Sequence, residues 1–364
     1  MSLPEPQPGI MAIKPYRGGA HSAEGVERVI TLSANESPLG PSPKAVAAVR
    51  AMADHAHRYP DGGATALREA LAAHYGLEAD RIICSNGSDE LISLLCAAYV
   101  GPGDEIVMSR HGFLMYPIAA TVCGGKVVMA PENELTANVD ALIAAVSDRT
   151  RICFLANPNN PTGTMLPSDE VARLRDGLPE RVLLVIDAAY AEYVTRNDYS
   201  AGMDLVARHD NVIMTRTFSK IYGLAGLRIG WAYGAPGVIE VLHRVRGPFN
   251  TNAVAQAAAI AALADVAHVD AARSHNDIWR PWLEREFRAL GLEVTPSVGN
   301  FLLVHFPGGD KGAQAADAFL VKRGILLRDM QAYGFDHALR VTVGLEEENR
   351  ALVAALADFL GAKG

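Results

Sequence analysis

Between Leu67 and Val304 short apolar runs alternate with helix-length segments, and this alternation constrains the fold more than any other feature. Arg81–Cys84, Glu105–Met108, Lys126–Met129, Arg151–Leu155, Val182–Ile186, Val212–Met214 and Ile229–Tyr233 have the length and apolar character of strands buried on both faces. Asp89–Val100, Val139–Ala145 and Ser168–Gly177 lie between them and read as helices. Strands repeated in this way need crossover connections, which lay helices over both faces of a mainly parallel sheet. Ligands of such α/β sheets sit beyond the carboxyl ends of the strands, where successive loops diverge. The predicted class is α/β, with its chemistry at those ends.

A chain of 364 residues can bury a large core and is expected to form two domains, or one with a lobe. The first 41 residues, rich in Pro and Gly, read as an extended arm that also contributes to a smaller domain, with apolar Ile10, Met11, Ile13 and Tyr16 suited to packing. Ser42 and Pro43 carry the N-cap and first-turn signals of a helix running to about Asp54, and open a large domain spanning 42–247. After Gly247 the texture changes. Asn252–Val269 reads as one alanine-rich helix and Asp270–Leu290 as a second, bent at Pro281. Strands at Glu293–Thr295, Asn300–Phe306, Ile325–Arg328 and Leu339–Val343, with helices at Gly312–Arg323 and Glu346–Leu360, complete an α+β domain over 248–364.

Composition removes several functions. A formal net charge of −8 without a basic cluster gives no field for nucleic acid. Apolar stretches break well before the ~20 residues a membrane helix needs, and Met1–Ile10 lacks the layout of a signal peptide. Cys84, Cys96, Cys123 and Cys153 have no metal-ligand or redox spacing and read as buried thiols of a cytoplasmic protein.

The strand Val212–Met214 leads into Thr215-Arg216-Thr217-Phe218-Ser219-Lys220, with Arg228 eight residues on. A lysine among apolar and small residues can lose amine basicity through burial and become nucleophilic. Hydroxyls and an arginine beside it suit a phosphate. Asp187 ends the apolar strand Val182–Ile186, a costly place for a carboxylate unless a cation or donors meet it. Gly87-Ser88-Asp89 opens a helix, either as a plain N-cap at Ser88 or as an anion cradle. Asn157-Pro158-Asn159-Asn160-Pro161-Thr162-Gly163 follows another strand end, and Gly112-Phe113-Leu114-Met115-Tyr116 a third, where Phe113 is either core or a stacking ring.

In this order these segments resemble the pyridoxal-phosphate-dependent aminotransferases of fold type I, and the resemblance covers nearly the whole chain. It implies a large domain with a mainly parallel mixed sheet between helices and a smaller α+β domain. It also implies pyridoxal 5′-phosphate as cofactor, held by Lys220 as a Schiff base. Gly87, Ser88, Asp89, Thr217, Ser219 and Arg228 would surround the phosphate, Asp187 the pyridine nitrogen, and Asn160 and Tyr190 the phenolic oxygen, with Phe113 stacked on the ring. Arg58-Tyr59-Pro60-Asp61 resembles the segment whose tyrosine reaches the partner subunit's phosphate, which implies a homodimer with shared sites through Tyr59. Arg340 in Leu339-Arg340-Val341-Thr342-Val343-Gly344 would clamp a substrate carboxylate. Within the family, Pro15-Tyr16, Ser33-Ala34-Asn35-Glu36-Ser37-Pro38-Leu39-Gly40 and Ala225-Gly226-Leu227-Arg228 are most similar to the histidinol-phosphate aminotransferases. That implies Tyr16, Asn35, Arg328 and Arg340 at the substrate, glutamate as donor and Lys220 as proton carrier. Aromatic aminotransferases and threonine-phosphate decarboxylases share the motifs. Tyr16-Arg17-Gly18-Gly19 lacks the family's common proline, and Ser109-Arg110-His111 replaces its Pro-Thr pattern.

Overall fold

The computed structural model describes residues 4–16, 18–19, 22–26 and 28–361. The outer ends of the expected 1–41 and 248–364 segments, with Arg17, lie outside these residues. Seven strands form the central sheet, in spatial order Ile82–Ser85, Gly230–Gly234, Val212–Thr217, Leu183–Asp187, Thr150–Ala156, Glu105–Ser109 and Lys126–Ala130. Only Gly230–Gly234 runs against its neighbours, so the other six point their carboxyl ends the same way. Each of these strands overlaps its predicted run. Arg81, Val182 and Ile229 drop out at the leading ends, Arg81 because it ends a 3-10 turn at Ala79–Arg81.

The alternation of side chains across each strand divides the core in two. Leu184, Ile186, Val212, Met214 and Trp231 pack on one face with Leu67, Leu71 and Ala258. Val185, Ile213 and Ala232 pack on the other with Leu91, Leu95 and Tyr116. Each fully buried Leu, Ile or Phe contributes about 1.5–3 kcal/mol by leaving water, most of it offset by chain entropy. The helix Pro43–Met52 starts as read, with Ser42 Oγ accepting from the Ala45 amide at 3.1 Å and Pro43 at its first turn.

Three readings of the second half need correction. The alanine-rich segment is not one helix to Val269. It ends at Leu263, a new helix runs Val266–Ala289 with Pro281 inside it, and the two helices meet at 77° across Ala264–Asp265. Asp265 supplies the break with a non-helical backbone and a side chain drawn to Lys44 at 3.4 Å. The predicted strand Ile325–Arg328 is two: Ile325–Leu326 pairs in parallel with Ile30–Thr31, while Arg328–Asp329 joins a separate antiparallel sheet. That sheet runs Glu293–Thr295, Phe301–His305, Ala338–Thr342, Arg328–Asp329 and rests on the helices Ala313–Val321 and Glu346–Leu360. The parallel pair carries residues 33–36 from the arm to the mouth of the central sheet. Among the described residues no single helix is long and apolar enough to cross a membrane.

Candidate active site

Strand ends from the central sheet and one face of the small sheet enclose a cavity of about 270 Å³, lined by Lys220, Asp187, Tyr190, Asn160, Phe113, Ser88, Asp89, Thr217, Ser219, Arg228, Asn35, Tyr16, Arg328 and Arg340. Those residues come from both ends of the sequence, and the sheet's common polarity is what gathers them.

Lys220 sits at the centre. Its Nζ donates to the Ala34 carbonyl at 3.0 Å and lies 5.6 Å from the Tyr190 ring centroid. The side chain reaches the cavity but is otherwise enclosed by protein. Lost hydration first, and the Arg340 cation second, bring its amine down to about 8. An appreciable fraction is then uncharged and nucleophilic near neutral pH.

Asp187 closes the strand Leu183–Asp187 and is buried. Its Oδ2 accepts from Tyr116 Oη at 2.8 Å, while Oδ1 makes no hydrogen bond of normal geometry, the Ala189 amide and Thr215 hydroxyl nearby adding only a smaller pull on the carboxyl. Burial pushes its acid up to about 6, against the pull of the Tyr116 bond. A carboxylate left half-satisfied in this way is costly unless a cation meets it, and the cavity it lines is where that cation would sit. The Tyr116 ring stacks on Phe154 at 4.4 Å, which fixes the hydroxyl beneath the carboxylate, and Phe113 stands edge-on to Tyr116 at 5.8 Å.

Two donors face the same space. Tyr190 Oη accepts from Asn35 Nδ2 at 2.9 Å, so its own O–H has no acceptor among the described residues. Burial raises that phenol to about 12, keeping it neutral and a donor. Asn160 accepts through Oδ1 from Arg340 Nη1, leaving its amide N–H₂ to donate. Asn35 is fixed by Thr342, whose Oγ1 takes its backbone N–H at 2.9 Å, and holds a left-handed φ of 55°.

The opposite end is built for an anion. The helix Ser88–Tyr99 points its N-terminus here, with Gly87 as its N-cap at φ 76°. The alternative reading of Ser88 as a plain N-cap is therefore set aside: Ser88 is the first helical residue. A Cβ at Gly87 would lie 2.4 Å from Arg228 Nη2, and one at Gly230 would lie 2.6 Å from the Ser88 amide, so both glycines are needed for the close approach. Arg228 Nη1 donates to Ser219 Oγ at 3.2 Å and Nη2 to Asp89 at 3.1 Å, while Thr217 Oγ1 receives the Ser219 amide at 3.1 Å. Free helix N–H groups, hydroxyls and a guanidinium together form a phosphate-sized cradle.

Arg340 is buried, with Nη2 donating to the Ser33 carbonyl at 2.8 Å. Arg328 lies directly opposite it across the antiparallel pair and stacks its guanidinium 5.5 Å from the Tyr16 ring. Like charges in that arrangement repel, and an anion between them removes the penalty. An adjoining cleft of about 800 Å³ shares Tyr16, Gly18, Gly19 and Arg328 with the cavity. Two predicted site residues do not line this cavity: Gly87, which is the N-cap of the helix beginning at Ser88, and Tyr59, which is 82% exposed and stacks on Phe249 at 4.7 Å. Tyr116 as the support of Asp187 and Thr342 as the support of Asn35 could not be read from the sequence: both stand in quoted segments beside Phe113 and Arg340, but their partners are far away in the chain.

The model of the aminotransferase class I and II family matches residues 27–356, and the chain belongs to that family. It is 59% identical to the histidinol-phosphate aminotransferase of Paramagnetospirillum magneticum over 363 residues, 100% of both chains, and 56% identical to that of Rhodopseudomonas palustris over 99% of both. The crystal structure of histidinol-phosphate aminotransferase from Sinorhizobium meliloti in complex with pyridoxal-5′-phosphate superimposes with a TM-score of 0.90, at 29% identity over 99% of each chain.

Proposed function

We propose that this aminotransferase uses pyridoxal 5′-phosphate to convert imidazole-acetol phosphate to L-histidinol phosphate, taking the amino group from glutamate. The observation that carries the reading is the half-satisfied Asp187 carboxylate, directed at a cavity that also holds a lysine lowered to about 8 and ends in a phosphate cradle. The residues fit a group that is anionic at one end, cationic at a ring nitrogen and reactive towards an amine between them.

Lys220 would hold the aldehyde carbon, Asp187 a proton on the ring nitrogen, and Tyr190 with Asn160 the phenolic oxygen. Ser88, Asp89, Thr217, Ser219 and Arg228 would surround the phosphate, with Gly87 leaving room and Phe113 covering the ring. Bound in this way, the cofactor supplies an electron sink that makes the substrate Cα–H acidic. The Lys220 amine would then take the proton from the substrate Cα as a base and pass it on as an acid. Tyr190 keeps Lys220 oriented through its ring, and Asn35 keeps Tyr190 in place.

Both substrates bring an anion to the same arginines. Arg340, with Arg328 and Tyr16 beside it, takes the α-carboxylate of glutamate or the phosphate ester of histidinol phosphate, which has no carboxylate. We also infer a homodimer in which the exposed Tyr59 serves the partner's phosphate, large and small domains at 42–247 and 248–364, and a reducing cytoplasm for the four unpaired cysteines.

A single half-reaction tests the substrate. Protein reconstituted with pyridoxal phosphate is mixed with L-histidinol phosphate, phenylalanine or threonine phosphate, and the cofactor absorbance is followed. The reading requires the fastest conversion with histidinol phosphate. Preference for phenylalanine, or carbon dioxide released from threonine phosphate, would replace it.

A further inference from the structure

The sheet face opposite the cradle holds a charged group that the reaction above does not use. Thr217 turns towards the cavity, so Arg216 turns the other way, into the core beside Trp231 and Tyr75. It is 4% exposed, lies 4.7 Å from the Tyr75 ring and 5.7 Å from Trp231, and donates from Nη2 to Glu192 Oε1 at 2.7 Å. Glu192 is equally enclosed. The pair lines a cleft of about 470 Å³, yet its side chains are only 5% and 7% exposed. An ion pair so enclosed is seldom a net gain over apolar residues of the same size, so stability alone does not account for it.

Its connections do. Glu192 belongs to the 3-10 turn Ala191–Tyr193, which begins at Tyr190. Arg216 is one residue before Thr217 and four before Lys220. A second tie closes the far side of Lys220: Tyr222 Oη and Tyr75 Oη share a hydrogen bond at 2.9 Å, and the Gly223 amide donates back to the Lys220 carbonyl at 3.0 Å. The Glu192 carbonyl also accepts from Arg273 Nε at 2.7 Å, fastening the long helix Val266–Ala289 to the same turn. A guanidinium fork fixes distance and direction, whereas apolar packing would let turn and strand slide.

We propose that Arg216 and Glu192 are positioning residues, a buried strut that sets Tyr190 against Lys220 for proton transfer. The proposal rests on the transaminase reading above. Placement errors of about 1 Å at a reacting group cost about a hundredfold in rate, so the pair acts on kcat rather than on folding.

The test replaces the whole pair, Arg216→Met with Glu192→Leu, in the pyridoxal-phosphate-loaded enzyme, so that no lone charge is left buried. Melting temperature, kcat and KM for glutamate, and the pH titration of the resting cofactor absorbance are compared with wild type. The strut predicts a protein melting at or above wild type, kcat lowered at least tenfold, KM changed less than threefold, and a displaced titration midpoint. Wild-type kcat and midpoint in a stable double variant would overturn it. Arg216→Lys is the second arm, keeping the charge without the fork. It predicts a smaller fall in kcat in a folded enzyme, and unchanged kcat there overturns the proposal even if the double variant does not fold. Wild-type turnover of glutamate in the same assay tests the transaminase reading separately.

Discussion

Replacing Asp187 by Asn separates stability from catalysis in one residue. Asn keeps the shape and can still accept from Tyr116, but it can neither ionise nor neutralise a cation. The folded protein holds the Asp187 acid at about 6 where aspartate ordinarily sits at 3.8, because burial disfavours the charge. The folded state thus binds this proton more tightly than the unfolded chain, and the contribution of the group to stability falls as pH rises from about 4 through about 6. Above that window the carboxylate costs the apo-protein about 3 kcal/mol. Apo Asp187→Asn should therefore melt higher than apo wild type at pH 8, and the gap should close towards pH 4. Catalysis should move the opposite way. A carboxylate about 4 Å from a ring cation is worth about 4 kcal/mol at an effective dielectric of 20, about a thousandfold in keeping that nitrogen protonated. Single-turnover conversion of the loaded enzyme by glutamate should slow by about that factor. Turnover within tenfold of wild type would show that the Asp187 charge does not serve catalysis, and an apo variant no more stable at pH 8 that it does not cost stability.

Other outcomes follow from the same geometry. Uptake of pyridoxal phosphate by apo-protein needs the uncharged Lys220 amine, so its rate should rise with pH through about 8, measured by absorbance in a stopped-flow pH series. Arg340→Ala removes the second cause of that lowering and should move the midpoint upward. The same substitution should raise KM for glutamate by about 10–100-fold in steady-state assays, the worth of a charged hydrogen-bonded pair. Gly87→Ala puts a Cβ 2.4 Å from Arg228 Nη2 and should weaken cofactor binding at least about tenfold by equilibrium titration. Gly40→Ala, at a similar φ of 68° but with open space around it, should leave that binding near wild type. Mixing inactive Lys220→Ala and Tyr59→Ala subunits should restore activity above the sum of the two, if Tyr59 serves the partner's site.

How much could be read from the sequence depended on how local the cause was. Strand runs such as Leu183–Asp187 announce themselves because burial on both faces leaves no polar alternation, and the site residues beyond them follow from the common direction of parallel strands. Lys220 and Asp187 stood out as charges where an apolar strand ends. The supports of these residues had no such signal. Asn35 meets Tyr190 across 155 positions and Arg340 meets Asn160 across 180, pairings set only when the small sheet docks on the large one. The helix break at Ala264–Asp265 hid inside a run of good helix formers, where one Asp outweighed local propensity. Ile30–Thr31 was too short to read as a strand, although its pairing with Ile325–Leu326 carries Asn35 into the site. The Arg216–Glu192 pair was hidden for a related reason: an arginine in a strand reads as an edge or surface residue until its partner is known.

Chemical trapping tests most directly whether Lys220 takes the cofactor. Protein loaded with pyridoxal phosphate is reduced with borohydride, digested and mapped by mass spectrometry. One pyridoxyl group per chain is expected, on the peptide containing Lys220, and it should be lost when histidinol phosphate is added before the reductant. A label on another lysine, or none on Lys220, would contradict that expectation.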